Sequence, residues 1–444
     1  MNCKKSPGHD GITGRMLREL PRRGILYLTL IFNAIIISNY FPESWKLAKI
    51  IVVLKPGKPA EEPSSYRPIS LLTAISKLFE RLLMIRLNPI IQENKLFPIF
   101  QYGFRRMHAI TEQAHSVAKL ASIALEDKSY CCGVFLDVAQ AFDRVWHDGL
   151  LHKLQLFLPL HYVKVFESYL TNRKFYVCFN EFKSSIHKIR AGVPQGSVVG
   201  PVLYNLYTAD IPISDHVENS VFADDTAILT NDKDLNTATN RLQKHIDKLS
   251  SWTTQWKIAL NTNKSVHINF TLRKEKPIPL VLHGAVIPYQ TTVKYLGVHF
   301  DQRLTWRDHI MAKTKTAGLK FRAYYWLMGK HSSLSLENKR LMYMMIIRPT
   351  WSYAAPVWST ASQSNINILE RRQNITIRSM VNVYRYTKNA DLLNDFNIPT
   401  ARETIRSLSD NYEQRLHKHP NTRAIELLDS SSDTHRLKRP RLLF

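Results

Sequence analysis

The chain has 444 residues, 44% of them hydrophobic and 10% aromatic, with 61 Lys+Arg against 36 Asp+Glu for a net charge of +25. That length and apolar content exclude a disordered chain and predict two or three subdomains with sizeable cores. The charge points to nucleic acid first and to an anionic membrane surface second. It is uneven: residues 301–444 hold 24 basic and 12 acidic residues, about twice the net charge per residue of the preceding stretch. Cys3, Cys131, Cys132 and Cys178 form no CxxC and no Cys/His spacing suited to zinc. A disulfide framework is therefore not expected, and the compartment reads as reducing. The opening MNCKKSPGHDGITGR lacks the apolar run of a signal peptide.

In chain order, SPGHDGI (6–12) is a turn signal. GILYLTLIFNAIIISNYFP (24–42) is interrupted by Asn33, Ser38 and Asn39, too polar and short to span a bilayer. It predicts a buried helix stopped before Pro42. KIIVVLKPGKPAEEPSSYRP (49–68) reads as a buried strand and a Pro-rich loop carrying Lys55, Lys58 and Arg67. LLTAISKLFERLLMIRL (71–87) has helical periodicity. From 131, CCGVFLDV predicts a strand and HDGLLHKLQLF a helix. GVPQGSVVGPVLYNLYTADI (192–211) is a Gly/Pro loop entering an apolar helix, with Ser197 as a candidate cap. A hairpin follows, then a helix over 235–258; beyond 300 the chain reads as helical, basic and rich in Trp and Tyr, ending in a disordered tail. Strands alternating with helices indicate α+β or α/β organisation.

The hairpin SVFADDTAIL (220–229) sets Asp224 beside Asp225 in an apolar run. Two such charges about 4 Å apart repel by roughly 4 kcal/mol at an effective dielectric of ~20. Alone, the decapeptide admits a plain turn as well as a cation site that converts the repulsion into attraction. A third carboxylate tips the balance, because GVFLDVAQAFD (133–143) ends an apolar strand on Asp137. Oxygen ligands held rigidly at strand ends suit two-metal phosphoryl or nucleotidyl transfer. Between them in sequence lies GVPQGS, whose glycines permit close backbone approach and whose Gln195 amide can hydrogen-bond a nucleotide or template.

This order of strand-Asp, Gly-Pro-Gln-Gly loop and Asp-Asp hairpin resembles the reverse transcriptase domain of non-LTR (LINE-type) retrotransposons, and most closely the jockey-like insect elements. The likeness runs from about residue 4 to 400 through KSPGHDGI, FPESWKLAKIIVVLKPGK, SYRPISLL, QYGFRR, FLDVAQAFDRVWH, GVPQGSVVGP, FADDTA, LNTNKS, YLGVHFDQRLTWRDHI, YAAPVW and LERRQN. His9, Met107 and Val199 depart from the family pattern without removing a ligand.

The resemblance implies an α+β right-hand polymerase: fingers at 1–130, a palm with antiparallel sheet and acidic hairpin at 131–300, a helical basic thumb at 301–420, and a disordered tail at 421–444. It implies RNA-directed DNA synthesis from dNTPs, with Asp137, Asp224, Asp225 and the Val138 backbone holding two Mg²⁺ or Mn²⁺. Phe142 would exclude a ribose 2′-hydroxyl, its alternative being a core Phe. Amides of Val138, Ala139, Gln140 and Ala141 would cradle phosphates. Gln195 and Gly196 would shape the nucleotide pocket, and Lys264 would give a proton to the leaving group, its alternative being a solvated lysine. Arg67 and Lys55 would bind the triphosphate or, alternatively, template backbone or only solvent. Expected partners are RNA template, DNA primer and the element's own RNA in a nuclear and cytoplasmic ribonucleoprotein, with no membrane. No second acidic and histidine-bearing cluster suited to nicking DNA is visible. An endonuclease domain is therefore expected in a longer parent polyprotein. The rival readings are a decayed, non-catalytic nucleic-acid-binding copy and a metal-dependent nuclease.

Overall fold

The computed structural model describes residues 4–55 and 57–428. Its strands in chain order are β1 (Leu47–Leu54), β2 (Tyr66–Leu71), β3 (Tyr130–Leu136), β4 (Lys174–Phe179), β5 (Phe182–Lys183), β6 (His187–Lys188) and β7 (Glu218–Phe222). They continue with β8 (Asp225–Asp232), β9 (Val266–Phe270), β10 (Val281–Leu282), β11 (Ala285–Val286), β12 (Thr292–Tyr295) and β13 (Val298–Asp301). The chain forms two compact units, one of Met1–Phe104, Val138–Pro212 and Lys248–Asn261, the other of Arg105–Asp137, Ile213–Asp247 and Thr262–Phe444. Compactness therefore interleaves segments that the sequence-based division keeps as consecutive stretches.

The first unit holds a sheet in the order β2-β1-β4-β5, with β6 also paired to β4. Its core cluster is helical and runs from Phe32 through Phe79 and Leu154 to Tyr207. The apolar run of β1 is not buried as expected: only Ala48 is, and Val53 and Leu54 are exposed. None of its side chains belongs to the core cluster of this unit or packs against it. The helix Ala74–Glu93 begins where Thr73 Oγ1 accepts from Ser76 N at 3.2 Å.

The helix Arg22–Ser38 ends on Asn39, whose left-handed backbone (φ 54°) terminates it ahead of Pro42. The expectation that it is buried is corrected. Only Phe32 and Ile35 are buried, with Leu28 and Ile36 packed against the same core. Those four positions make one stripe at helical spacing. Apolar residues elsewhere on the circumference face solvent, Ile37 at 81% exposure. No helix among the described residues is long and apolar enough to cross a membrane.

The second unit is built on an antiparallel sheet, β7-β8-β3-β9. β3 is central and buried along its whole length, which explains its uninterrupted apolar sequence. The helix Ile110–Glu126 packs there through Ala114, Val117, Ala118, Ala121 and Ala124, small residues that let it approach the sheet. The same core continues through Trp306, Ile310, Trp358 and Leu369 to Ile405. The tail expected from 421 starts as structure: Asn421 caps the helix Thr422–Ile425, and Glu426–Leu428 follows as a 3₁₀ turn. The remainder of that tail, 429–444, lies outside the described residues.

Candidate active site

Register builds the acidic site in the second unit. β3 pairs with β8 so that Leu136 faces Thr226, and with β9 so that Phe135 faces Val266. The β3–β8 ladder ends at Leu136 and Thr226, so Asp137 directly follows the last paired residue of one strand and Asp225 directly precedes that of the other, while Lys264 lies in the turn ahead of β9. β7 and β8 join through a two-residue turn, Ala223–Asp224, closed by the pair Phe222 and Asp225. Ala223 takes φ 60°, a conformation that costs a non-glycine residue about 1–3 kcal/mol and collects at functional sites.

The electrostatics agree with the register. Desolvation, then the charges of Asp224 and Asp137, push the Asp225 carboxyl up to about 6. Asp225 as a residue stays exposed, so the two neighbouring charges are the firmer part of that shift. Three carboxylates at one sheet end offer the hard oxygen donors that divalent cations take. Among the described residues no three His, Cys, Asp or Glu side chains already converge as a ligand set. Like charges oppose such convergence until a cation lies between them.

Two supporting residues carried no signal of their own in the sequence. Ser265 is fully buried, and its Oγ accepts from Asp137 N at 3.2 Å. The buried Tyr295 hydroxyl donates to Ser220 O at 2.9 Å, two residues before the turn strand ends. Both lie inside quoted motifs (LNTNKS and YLGVHF), yet only the fold shows what they touch. Lys264, beside Ser265, is exposed.

The first unit gathers the residues proposed for nucleotide binding. Val193 N donates to Phe142 O at 2.7 Å and Gly192 N to Val145 O at 2.8 Å, joining the 192–197 loop to the 138–145 turn. Gln195 Nε2 donates to Asp143 Oδ1 at 2.9 Å, while Ser70 N on β2 donates to Gln195 O at 2.8 Å. Gly196 stands at φ 121°, and a Cβ there would lie 2.6 Å from Ser70 O. The close approach this glycine permits is thus to β2. Buried Glu80 accepts from Val198 N at 2.6 Å and Ser76 Oγ at 3.0 Å; burial raises its pKa, against those bonds and the Arg173 charge. It is a third support that sequence reasoning missed. Ser197 Oγ accepts from Gly200 N at 2.7 Å, although the formal cap of that helix is Val199.

Phe142 is half-buried, stacked on Tyr204 at 4.9 Å and edge-on to Phe104 at 5.7 Å. The proposed amide cradle is corrected at one position. Ala139 N donates to Ala259 O at 2.8 Å, because Val138 and Leu260 form an antiparallel bridge. Gln140 stands at φ 53° and its side chain accepts from Arg144 Nε at 3.1 Å; Ala141 is buried. Lys55 Nζ donates to Ser64 O at 2.8 Å, closing the β1–β2 loop. Arg67 is exposed on β2, paired in register with Val53.

A family model described as reverse transcriptase (RNA-dependent DNA polymerase) matches residues 53–300. The chain is 40% identical over 446 residues to the probable RNA-directed DNA polymerase from transposon BS of Drosophila melanogaster, covering 98% of this chain and 49% of that protein. It is 37% identical over 432 residues to the RNA-directed DNA polymerase from mobile element jockey of the same species, covering 96% of this chain and 47% of that protein. The chain thus spans about half the length of these curated relatives. A solved apo telomerase from Candida Tropicalis, truncated from its C-terminal domain, superposes with a TM-score of 0.40 at 12% identity, over 62% of this chain and 58% of that one.

Proposed function

The chain belongs to the reverse transcriptase (RNA-dependent DNA polymerase) family, with that family's α+β right-hand fold, and from this premise we propose that it copies RNA into DNA for a jockey-like non-LTR retrotransposon. The observation that carries the reading is the end of the β3–β8 ladder at Leu136 and Thr226, which leaves Asp137 and Asp225 as the next residues on the two strands, beside the turn strained at Ala223 and with the charges of Asp224 and Asp137 acting on Asp225. Asp137, Asp224, Asp225 and the Val138 carbonyl would hold two divalent cations, Mg²⁺ or Mn²⁺, which lower the pKa of a bound hydroxyl and offset charge on transferring phosphoryl oxygens.

The other roles belong to the chain itself. Phe142, its ring fixed by Tyr204, stands as the steric filter against a 2′-hydroxyl. Arg67 presents a planar fork to triphosphate oxygens, and Lys264 a proton to the departing pyrophosphate. Lys55, tied to Ser64, serves the triphosphate site by shaping the β1–β2 loop. Gln195 and Gly196 hold the floor of the nucleotide pocket through Asp143 and Ser70. By role, 1–130 act as fingers, 131–300 as palm and 301–420 as thumb. The substrates are dNTPs and a DNA primer annealed to RNA, the element's own transcript in the cell, within a nuclear and cytoplasmic ribonucleoprotein.

Primer extension on an RNA template tests the reading. Asp137→Asn and Asp224→Asn should each lower the rate by at least ~10²–10³, the scale of lost electrostatic stabilisation. Circular dichroism and template binding should stay close to wild type. Near-wild-type extension by either variant with Mg²⁺ as the sole metal overturns the assignment.

A further inference from the structure

In the second unit, the helices Gln363–Met380 and Asn389–Asp395 are joined by residues 381–388, VNVYRYTK. This link is pinned at its base. Val381 is buried and Val383 packs against the same core. Arg378 donates from Nε to Asn389 Oδ1 at 2.8 Å and from its terminal nitrogen to Thr387 O. Lys330 N donates to Ser379 O at 3.0 Å, tying the start of the link to a second segment. Thr387 N donates to Tyr384 O at 3.2 Å, which closes a tight turn with Arg385 and Tyr386 at its corner.

The crest of that turn behaves in the opposite way. Tyr384 is 86% exposed and Tyr386 92%, the two most exposed large hydrophobic side chains among the described residues. Arg385 and Lys388, between and after them, are exposed as well. Residues 371–390 contain five Lys or Arg and no Asp or Glu. Two aromatic rings are thus held out of the core on a fixed turn, with cations interleaved.

Rings on a pinned support bind with little ordering entropy lost. An apolar protein face would cover the rings but leave the cations desolvated and unpaired. Unpaired nucleotides match both features, since bases present π-faces and the backbone presents phosphates. Paired bases, stacked within a duplex, would present only the phosphates.

We propose that the Tyr384–Arg385–Tyr386 crest is a stacking platform for unpaired bases of a single-stranded nucleic acid, with Arg385 and Lys388 on its phosphates. The platform uses none of the residues assigned to metal or nucleotide binding or to catalysis, and it stands or falls separately from that assignment.

The test uses the full chain and fluorescence anisotropy with labelled oligouridine, oligothymidine and a duplex, each of about 20 nucleotides, across a salt series. The two single strands distinguish RNA from DNA as the ligand. Tyr384→Ala/Tyr386→Ala should weaken binding of one or both by about tenfold or more at every salt concentration, leaving the salt slope unchanged. Duplex binding should not move. Tyr384→Phe/Tyr386→Phe, which keeps both rings, should stay within about twofold of wild type. Arg385→Ala should instead flatten the log–log slope by about 0.7. Both tyrosines lie outside the core, so the melting curves of all variants should match wild type. Asp224→Asn should bind like wild type, which separates a failure here from a failure of the catalytic assignment. The platform is overturned if the Ala pair binds both single strands normally, or if the Phe pair loses as much as the Ala pair. An equal loss on duplex also overturns it. So does an Ala pair that binds RNA normally but alters self-association, which would make the crest a contact between copies.

Discussion

At the scale of single residues, the site rests on groups placed where they are individually uncomfortable. Ala223 holds a left-handed backbone, and desolvation together with two neighbouring carboxylates pushes the Asp225 carboxyl up to about 6. Such strain persists only where surrounding contacts over-determine it, and here Ser265 and Tyr295 supply those contacts at Asp137 and Ser220. Phe142 is the residue whose two roles can be told apart. Its face-on contact with Tyr204 is worth about 0.5–1.5 kcal/mol beyond burial. Phe142→Val should therefore lower stability by less than about 3 kcal/mol. It should also raise the rNTP-to-dNTP ratio of kcat/KM by about tenfold or more, each tenfold being about 1.4 kcal/mol of discrimination. Steady-state kinetics with both nucleotides reads this directly. An unchanged ratio in a destabilised protein assigns Phe142 to the core alone.

At the scale of elements, the 192–197 loop shows how a motif is fixed by partners distant in sequence. It is held by β2 through Ser70 and by the 138–145 turn through Phe142 and Val145, and the next residue, Val198, donates its N–H to Glu80. Gly196→Ala meets both a disallowed φ and the Ser70 carbonyl, so about 2–4 kcal/mol should be lost in urea unfolding. Gly11→Ala is the control, since Gly11 stands at φ 70° with nothing within 4 Å of the added carbon. It should lose only about 1–2 kcal/mol. Equal losses would show that the contact with β2 contributes nothing. The helix Ala401–His417 is anchored in a comparable way: Arg415 bonds buried Glu112 at 2.9 Å, and Tyr412 meets buried His115 at 3.1 Å.

At the scale of the molecule, the helical region after 300 is not a separate appendage. Trp306, Trp358 and Ile405 share one core with Ala227 and Ile268 of the sheet, so removing 301–444 would strip that core open. The same unit buries histidines in neutral form. Desolvation lowers His115 and His309 to about 3 and His267 to about 4. These groups titrate near 6.5 when unfolded, so their contribution is complete above that pH and is lost as pH falls from 6.5 toward the folded values. Each contributes a slope of up to about 1.4 kcal/mol per pH unit in that window. Glu80 and Glu112, raised by burial, act in the opposite direction, so a variant comparison is needed. The stability difference between wild type and His115→Gln should shrink as pH is lowered from 7.5 to 5, measured by urea unfolding. A difference constant over that range would show that His115 does not remain neutral.

Much of the local structure was legible in the sequence, because periodicity and turn chemistry act over a few residues. The helix His147–Phe157, the all-buried strand Tyr130–Leu136 and the acidic hairpin all appear where their patterns place them. The order of Asp137, Gln195 and Asp224 likewise pointed to one chemistry before any contact was known. Tertiary structure alone decided which distant residues meet. The β3–β8 ladder ended at Leu136 and Thr226, one residue from Asp137 and Asp225, Tyr295 reached Ser220, and Glu80 took the amide of Val198, 118 residues away. Burial of the apolar helix Arg22–Ser38 was also misread, since hydrophobicity says what a face can cover but not whether a neighbour arrives to cover it. Pairing, register and burial are properties of two segments at once, and a single segment's composition carries only half of each.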